Sequence, residues 1–126
     1  MSAVLVVEDN PTSRKLAVLL LTNAGYAVLQ AGEGAAAVEI ARSALPDLIL
    51  MDVQMAGMDG LTATRMLKRD PATAAIPIIA MTAFAMRGDE EKILAAGCDG
   101  YIAKPFGMAD LLMQVARALT PGPQTG

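Results

Sequence analysis

The sequence predicts an α/β domain: a (βα)5 doubly wound parallel five-stranded sheet, strand order 2-1-3-4-5, with helices on both faces. Three observations carry this. Five short runs are apolar almost without interruption, as strands covered on both faces must be. Segments with helical spacing separate them, and regular strand–helix alternation builds a parallel sheet through right-handed crossovers. The third observation is where the few charges fall. Val4-Leu5-Val6-Val7 runs into Glu8-Asp9, Leu48-Ile49-Leu50-Met51 into Asp52, Ile78-Ile79-Ala80-Met81 into Thr82, and Tyr101-Ile102-Ala103 into Lys104-Pro105. Ligands of open α/β sheets bind just outside the carboxyl ends of the strands, where the strand order reverses. The order 2-1-3-4-5 sets strands 1 and 3 side by side and so gathers Glu8, Asp9 and Asp52 there.

Each element has its own local warrant. Strand 1 is Val4 to Val7. Asn10-Pro11 then reads as a cap followed by proline at the first helical position. Leu16, Leu19, Leu20 and Asn23 trace the predicted inner face of helix 1, and Gly25 stops it. Strand 2 is Ala27 to Ala31. Helix 2 runs from about Gly34 to Ala44, with Val38 and Ala41 inward and Pro46 ending it. Strand 3 is Leu48 to Met51. Asp59-Gly60 reads as a turn and N-cap leading into helix 3, about Leu61 to Arg69, which Asp70-Pro71 closes. Strand 4 is Ile78 to Met81, and helix 4 covers about Arg87 to Ala96, closed by Gly97. Strand 5 is Gly100 to Ala103. Helix 5 runs from Met108 to Leu119 with Leu111, Leu112, Val115 and Leu119 as its buried stripe. Residues 1–120 form one domain, and 121–126 form a short disordered tail.

Composition removes several function classes. A chain of 126 residues has room for one core. Only 3% is aromatic and Trp is absent, so aliphatic side chains and nine Met are expected to fill the interior. Net charge is −3 with no basic stripe, which argues against direct nucleic-acid binding. No apolar stretch approaches the roughly 18 residues of a membrane span. Met1-Ser2-Ala3 enters a strand at once and leaves no space for a signal peptide, so a cytoplasmic location is expected. Cys98 stands alone and reads as a small buried hydrophobe. The absence of His removes the usual zinc ligands and general bases. The Arg87 to Lys92 charge run reads as a solvated helix face.

Three carboxylates in one pocket repel one another and need a counter-charge. A hard dication suits oxygen donors, and Mg²⁺ binds through one or two carboxylates plus water and phosphate oxygens. Asp52 can then act as a nucleophile, since carboxylates form aspartyl phosphates. Protein ligands would be Asp52, Glu8 or Asp9, and the main-chain carbonyl of Gln54. Lys104 and Thr82 would contact phosphoryl oxygens. Such a site works by positioning and charge neutralisation rather than acid–base chemistry, so it needs no His.

The motifs Val-Val-Glu8-Asp9-Asn10, Asp47-Leu-Ile-Leu-Met-Asp52, Met58-Asp59-Gly60, Met81-Thr82-Ala83 and Tyr101-Ile-Ala-Lys104-Pro105-Phe106 together resemble a response-regulator receiver domain of the CheY-like family, from about Val4 to Leu119. The resemblance implies the flavodoxin-like, CheY-like fold and assigns roles. Asp52 becomes the phosphoacceptor, and Glu8 and Asp9 the acidic metal pair. Gln54 becomes the main-chain ligand, Thr82 the switch hydroxyl, Tyr101 the switch aromatic and Lys104 the phosphate contact. The bond to Pro105 is implied to be cis. The cofactor implied is Mg²⁺ or Mn²⁺. Many members carry proline where Ala56 stands, a departure that concerns the loop and not the chemistry. The segment from Thr82 to Asp89, with Ala96-Gly97-Cys98-Asp99, is similar to stand-alone regulators of the DivK type and to receivers of hybrid kinases.

The resulting expectation is a stand-alone receiver in phosphorelay signal transduction. It is not an enzyme beyond its own phosphorylation and dephosphorylation at Asp52. Its partners are a histidine kinase or histidine phosphotransfer protein, and a downstream protein target on the face formed by helix 4, strand 5 and helix 5. A receiver excised from a hybrid histidine kinase or larger regulator is the alternative, and a scaffold that is never phosphorylated is another. A haloacid-dehalogenase-type phosphohydrolase is more distant. Such enzymes carry a second Asp two residues after the nucleophile, where this chain has Gln54.

Overall fold

In the computed structural model the chain alternates strand and helix from end to end. The described residues are 2–53, 60–82, 87–104 and 107–119, with the side chains of 87–90 outside the description. The elements are β1 (Ala3–Val7), α1 (Pro11–Asn23), β2 (Ala27–Ala31), α2 (Gly34–Ala44), β3 (Leu48–Asp52), α3 (Gly60–Arg69), β4 (Ile78–Thr82), α4 (Arg87–Ala95), β5 (Gly100–Ala103) and α5 (Met108–Leu119). All five strands are parallel and lie in the order β2-β1-β3-β4-β5. The predicted fold class is therefore the observed one.

Successive strand side chains point to opposite faces, and that alternation divides the interior into two cores. Leu5, Val7, Ile49, Met51, Ile78 and Ala80 meet Ala37, Val38 and Ala41 of α2, Ala63 and Leu67 of α3, and Ile93 of α4. Val4, Val6, Leu48, Leu50, Ile79, Met81 and Ile102 meet Ala17 and Leu21 of α1, and Leu111 and Val115 of α5. Burial on both faces explains why these strands read as unbroken apolar runs rather than as alternating ones.

Several local expectations are corrected. The inner face of α1 is Ala17 and Leu21, with Val18 and Leu20 partly buried, whereas Leu16 and Leu19 are more than half exposed. Leucines surround this helix, so periodicity alone gave the wrong stripe, and the sheet surface selects the face. On α5, Leu111 and Val115 are buried while Leu112 and Leu119 are only partly so. Met51 and Met81 fill the core as expected, but Met66, Met108 and Met113 are exposed. α2 ends with Leu45 in the left-handed region (φ 47°), directly before Pro46. α1 closes as expected: Gly25 takes φ 98°, and the N–H of Tyr26 donates to the Leu21 carbonyl. Cys98 is buried, its thiol 3.8 Å from Thr64 Oγ1, and burial pushes that thiol's pKa up.

Candidate functional site

Strand register delivers the polar residues to one edge of the sheet. Val7 pairs with Met51, so Glu8 emerges from β1 level with Asp52, the last residue of β3. Asp52 pairs with Met81, which places Thr82, the last residue of β4, one step further along. Thr82 pairs with Ala103, and Lys104 follows β5 with its N–H donating to the Thr82 carbonyl at 2.7 Å. β3 and β4 each extend one residue beyond the predicted strand to include Asp52 and Thr82. Both polar residues thereby become the final rungs of buried strands.

The β1–α1 junction is fixed by its own hydrogen bonds. Asn10 caps α1, its Oδ1 accepting from the N–H groups of Thr12 (2.9 Å) and Ser13 (3.1 Å), with Pro11 at the first helical position. Capping holds the chain just after Glu8 and Asp9 and leaves Asp9 exposed at the rim.

Glu8, Asp52 and Thr82 are 3%, 2% and 2% exposed, a depth at which unpaired charges are costly. Lys104 supplies the counter-charge. Its Nζ lies 2.5 Å from Glu8 Oε1 and 3.5 Å from Asp52 Oδ2. Burial pushes the Glu8 pKa up. A hydrogen bond shared with Asp52, the bond and charge of Lys104, and the Asn10 N–H together outweigh burial and hold the Glu8 pKa below the usual carboxylate range.

Glu8, Asp9 and Asp52 form a cluster in which one oxygen from each lies within 4.8 Å of the others. Three hard oxygen donors around one point, two of them buried, fit a small divalent cation such as Mg²⁺ and give no soft or nitrogen ligand for zinc. Tyr101 is placed differently. It pairs with Ala80, packs half-buried against the core lined by α2 and α3, and borders a cleft of about 1020 Å³ between α4, β5 and α5. Gln54, Ala56, Asp59, Phe84 and Pro105 lie outside the described residues.

Two residues of the site escaped the sequence reading. Gly60, a turn residue within the Met58-Asp59-Gly60 motif, has a steric role that neither reading assigns: a Cβ there would fall 2.1 Å from the Asp52 carbonyl oxygen. The start of α3 is thus pressed onto the backbone of Asp52. Arg14 was not singled out, and its Nη1 donates to the Glu8 carbonyl at 2.9 Å. Glycine after aspartate was the visible signal for the first. The second had none, because an arginine one turn into a helix is ordinary.

A doubly wound five-stranded sheet with an acidic triad at its switch point and a lysine after its last strand defines a receiver of two-component signalling. The chain belongs to the response regulator receiver domain family, whose model matches residues 4–116. It is 45% identical over 106 residues to the polar-differentiation response regulator DivK of Brucella anthropi, covering 84% of this chain and 86% of that protein. Chemotaxis protein CheY4 of Vibrio cholerae superposes with a TM-score of 0.91 at 30% identity, covering 94% of this chain and 99% of that one. The receiver domain of a sensor histidine kinase from Pseudomonas aeruginosa superposes with a TM-score of 0.88 at 38% identity, covering 94% and 97%. That structure has a magnesium ion coordinated in its active-site cleft. Receiver domains are signalling switches rather than classical enzymes. They bind Mg²⁺ at an acidic pocket and interact with histidine kinases or phosphotransfer proteins and with downstream targets. Among the described residues, no helix is long and apolar enough to cross a membrane.

Proposed function

We propose that this chain is a phosphoryl-accepting switch in which Asp52 takes the phosphoryl group of a phosphohistidine on a histidine kinase or phosphotransfer protein. The modification changes affinity for a protein target at the face built by α4, β5 and α5. The observation that carries this reading is the setting of Asp52: a buried carboxylate at the end of β3, clustered with Glu8 and Asp9 and 3.5 Å from the Lys104 ammonium.

An Asp52 carboxylate oxygen attacks phosphorus in line with the donor imidazole. The new P–O bond forms as the P–N bond breaks, and the imidazole leaves with the electron pair and takes up a proton. Glu8, Asp9, Asp52 and the Gln54 carbonyl would hold Mg²⁺ or Mn²⁺, which when bound offsets the negative charge of carboxylates and phosphoryl oxygens. Lys104 turns from Glu8 and Asp52 toward a phosphoryl oxygen, and the Thr82 hydroxyl donates to another. Phosphorylation replaces the single charge of the Asp52 carboxylate with an acyl phosphate of about −1.5 to −2, a net gain of about −0.5 to −1 at one buried point. Drawing Thr82 toward it moves the end of β4 relative to β5, where Tyr101 borders the cleft. The switch is a shift between two conformations rather than a new fold.

Acetyl phosphate provides the test, since it needs no cognate kinase. The protein should take one phosphoryl group in a Mg²⁺-dependent reaction, and hydroxylamine should remove it, as it does acyl phosphates but not phosphoserine or phosphothreonine. Label that persists in Asp52→Asn would move the site elsewhere and defeat the assignment.

A further inference from the structure

The acidic cluster depends on the orientation of the Glu8 peptide, and the structure shows what sets it. The Glu8 N–H donates to the Ala31 carbonyl of β2 at 3.1 Å, the last ladder bond on that side. β1 stops at Val7, so the Glu8 carbonyl has left the ladder. Arg14 takes it over, its Nη1 donating at 2.9 Å from a half-buried position in the first turn of α1. The Arg14 backbone is itself fixed, its N–H donating to the Asn10 carbonyl at 2.9 Å. Across the guanidinium lies Gly32, just beyond β2, where an added Cβ would stand 3.1 Å from the same Nη1. Contact that tight requires the guanidinium tip to shift by a few tenths of an ångström, so the lack of a side chain at Gly32 leaves Arg14 in its present seat.

We infer that Arg14, seated against Gly32, is a positioning residue for the cation site, clamping the Glu8 carbonyl so that Glu8 and Asp9 present their carboxylates toward Asp52. This rests on the proposed function only in taking Glu8, Asp9 and Asp52 as the cation ligands. Arginine suits the task because its planar fork holds a fixed direction that a lysine ammonium does not. Partners that orient metal ligands are commonly worth about 10- to 100-fold in metal affinity. Arg14 acts on the main chain rather than on a carboxylate, so the lower end of that range applies.

The experiment is calorimetric titration of the full chain with MgCl₂, with thermal melting of the metal-free proteins alongside. In Arg14→Met the Mg²⁺ dissociation constant should rise about tenfold. In Gly32→Ala, which keeps every charge, it should rise by a smaller factor in the same direction. Arg14→Lys should recover part of the loss. If Arg14→Met does not fold, Arg14→Lys and Gly32→Ala decide together: weakened binding in either supports the clamp, and wild-type affinity in both overturns it. A lowered melting temperature with unchanged Mg²⁺ affinity would make Arg14 a structural staple and defeat the inference. Tighter Mg²⁺ binding in Arg14→Met with wild-type affinity in Gly32→Ala would reduce Arg14 to a nearby positive charge and defeat it too. A wild-type protein that binds no Mg²⁺ would overturn the proposed function and this inference together. Binding in the wild type with both variants unchanged overturns this inference alone.

Discussion

Glu8 keeps a charge at a depth that favours losing it, held there by its hydrogen bond with Asp52 and by the bond and charge of Lys104. In the proposed site the same two carboxylates that the ammonium neutralises would also hold the divalent cation, so the two cations would compete. Removing the ammonium should therefore have opposite effects on fold and ligand. Breaking a buried pair costs about 3–5 kcal/mol; partial exposure of Lys104 and protonation of Glu8 place Lys104→Met near or below the low end, at about 2–3 kcal/mol. Yet the variant should bind Mg²⁺ more tightly than the wild type and recover more of its melting temperature when Mg²⁺ is added. Equal Mg²⁺-induced shifts in the two proteins would show that Lys104 and the cation do not contend. Gly60 sets a steric limit on the same site. A methyl group there would meet the Asp52 carbonyl well inside van der Waals contact, and the backbone cannot step aside as a side-chain tip can. Gly60→Ala should destabilise by about 3 kcal/mol, at the upper end for overpacking, and urea melts of the pair will show it. That Glu8, Asp9, Asp52, Thr82 and Lys104 gather at one edge of the sheet was legible in the sequence because each follows closely on an apolar run. Gly60 carries a local signal, glycine after aspartate, that does not announce its close approach to the Asp52 backbone, and Arg14 carries none, because a main-chain clamp is a tertiary fact.

Elements were legible where composition contrasts with surroundings, and α1 shows where that fails. Its segment Leu16-Ala-Val-Leu-Leu-Leu21 offers apolar residues in every direction, so more than one stripe satisfies helical spacing. The sheet resolves the ambiguity by packing against Ala17 and Leu21. A pair of variants separates the two faces. Leu21→Ala should cost about 2–5 kcal/mol, as deletions from a filled core do. Leu19→Gln, on the exposed side, should stay within about 0.5 kcal/mol. Comparable losses in chemical denaturation would return the buried face to the stripe that spacing alone suggested. α2 and α5 were read more accurately because polar residues interrupt them and leave a narrower apolar side. At the far edge of the sheet, Lys68 of α3 ties elements together in a way no pattern announces. Its Nζ donates to the carbonyls of Ala74 (3.2 Å) and Ile76 (2.8 Å) and to Asp99 Oδ2 (3.0 Å), which also accepts from the Ile78 N–H (2.8 Å). β4 and the entry to β5 are thus pinned to α3 at the edge opposite the acidic site.

For the molecule as a whole, this pinning bears on how a signal could travel. The sheet is anchored at the amino ends of β4 and β5, and the acidic site lies at their carboxyl ends. Motion in response to phosphate should then be concentrated near Thr82 and the strand beside it. Thr82 and Lys104 are already joined, since the Lys104 N–H donates to the Thr82 carbonyl, and Tyr101 lies three residues before Lys104 on the edge strand. In the proposed switch the Thr82 hydroxyl reads the phosphate by hydrogen bond, while the cation and Lys104 carry most of the charge stabilisation. Thr82→Ala should therefore separate acceptance from response. Phosphorylation by acetyl phosphate should persist, and beryllofluoride, an acyl-phosphate mimic, should still bind in the presence of Mg²⁺. In NMR spectra the amides around Asp52 should shift on beryllofluoride binding as they do in the wild type. Those of Tyr101 and α4 should stay near their unliganded positions. Wild-type-like shifts at Tyr101 in Thr82→Ala would mean that the signal reaches the cleft by another route, with Lys104 and its link to β5 as the remaining connection.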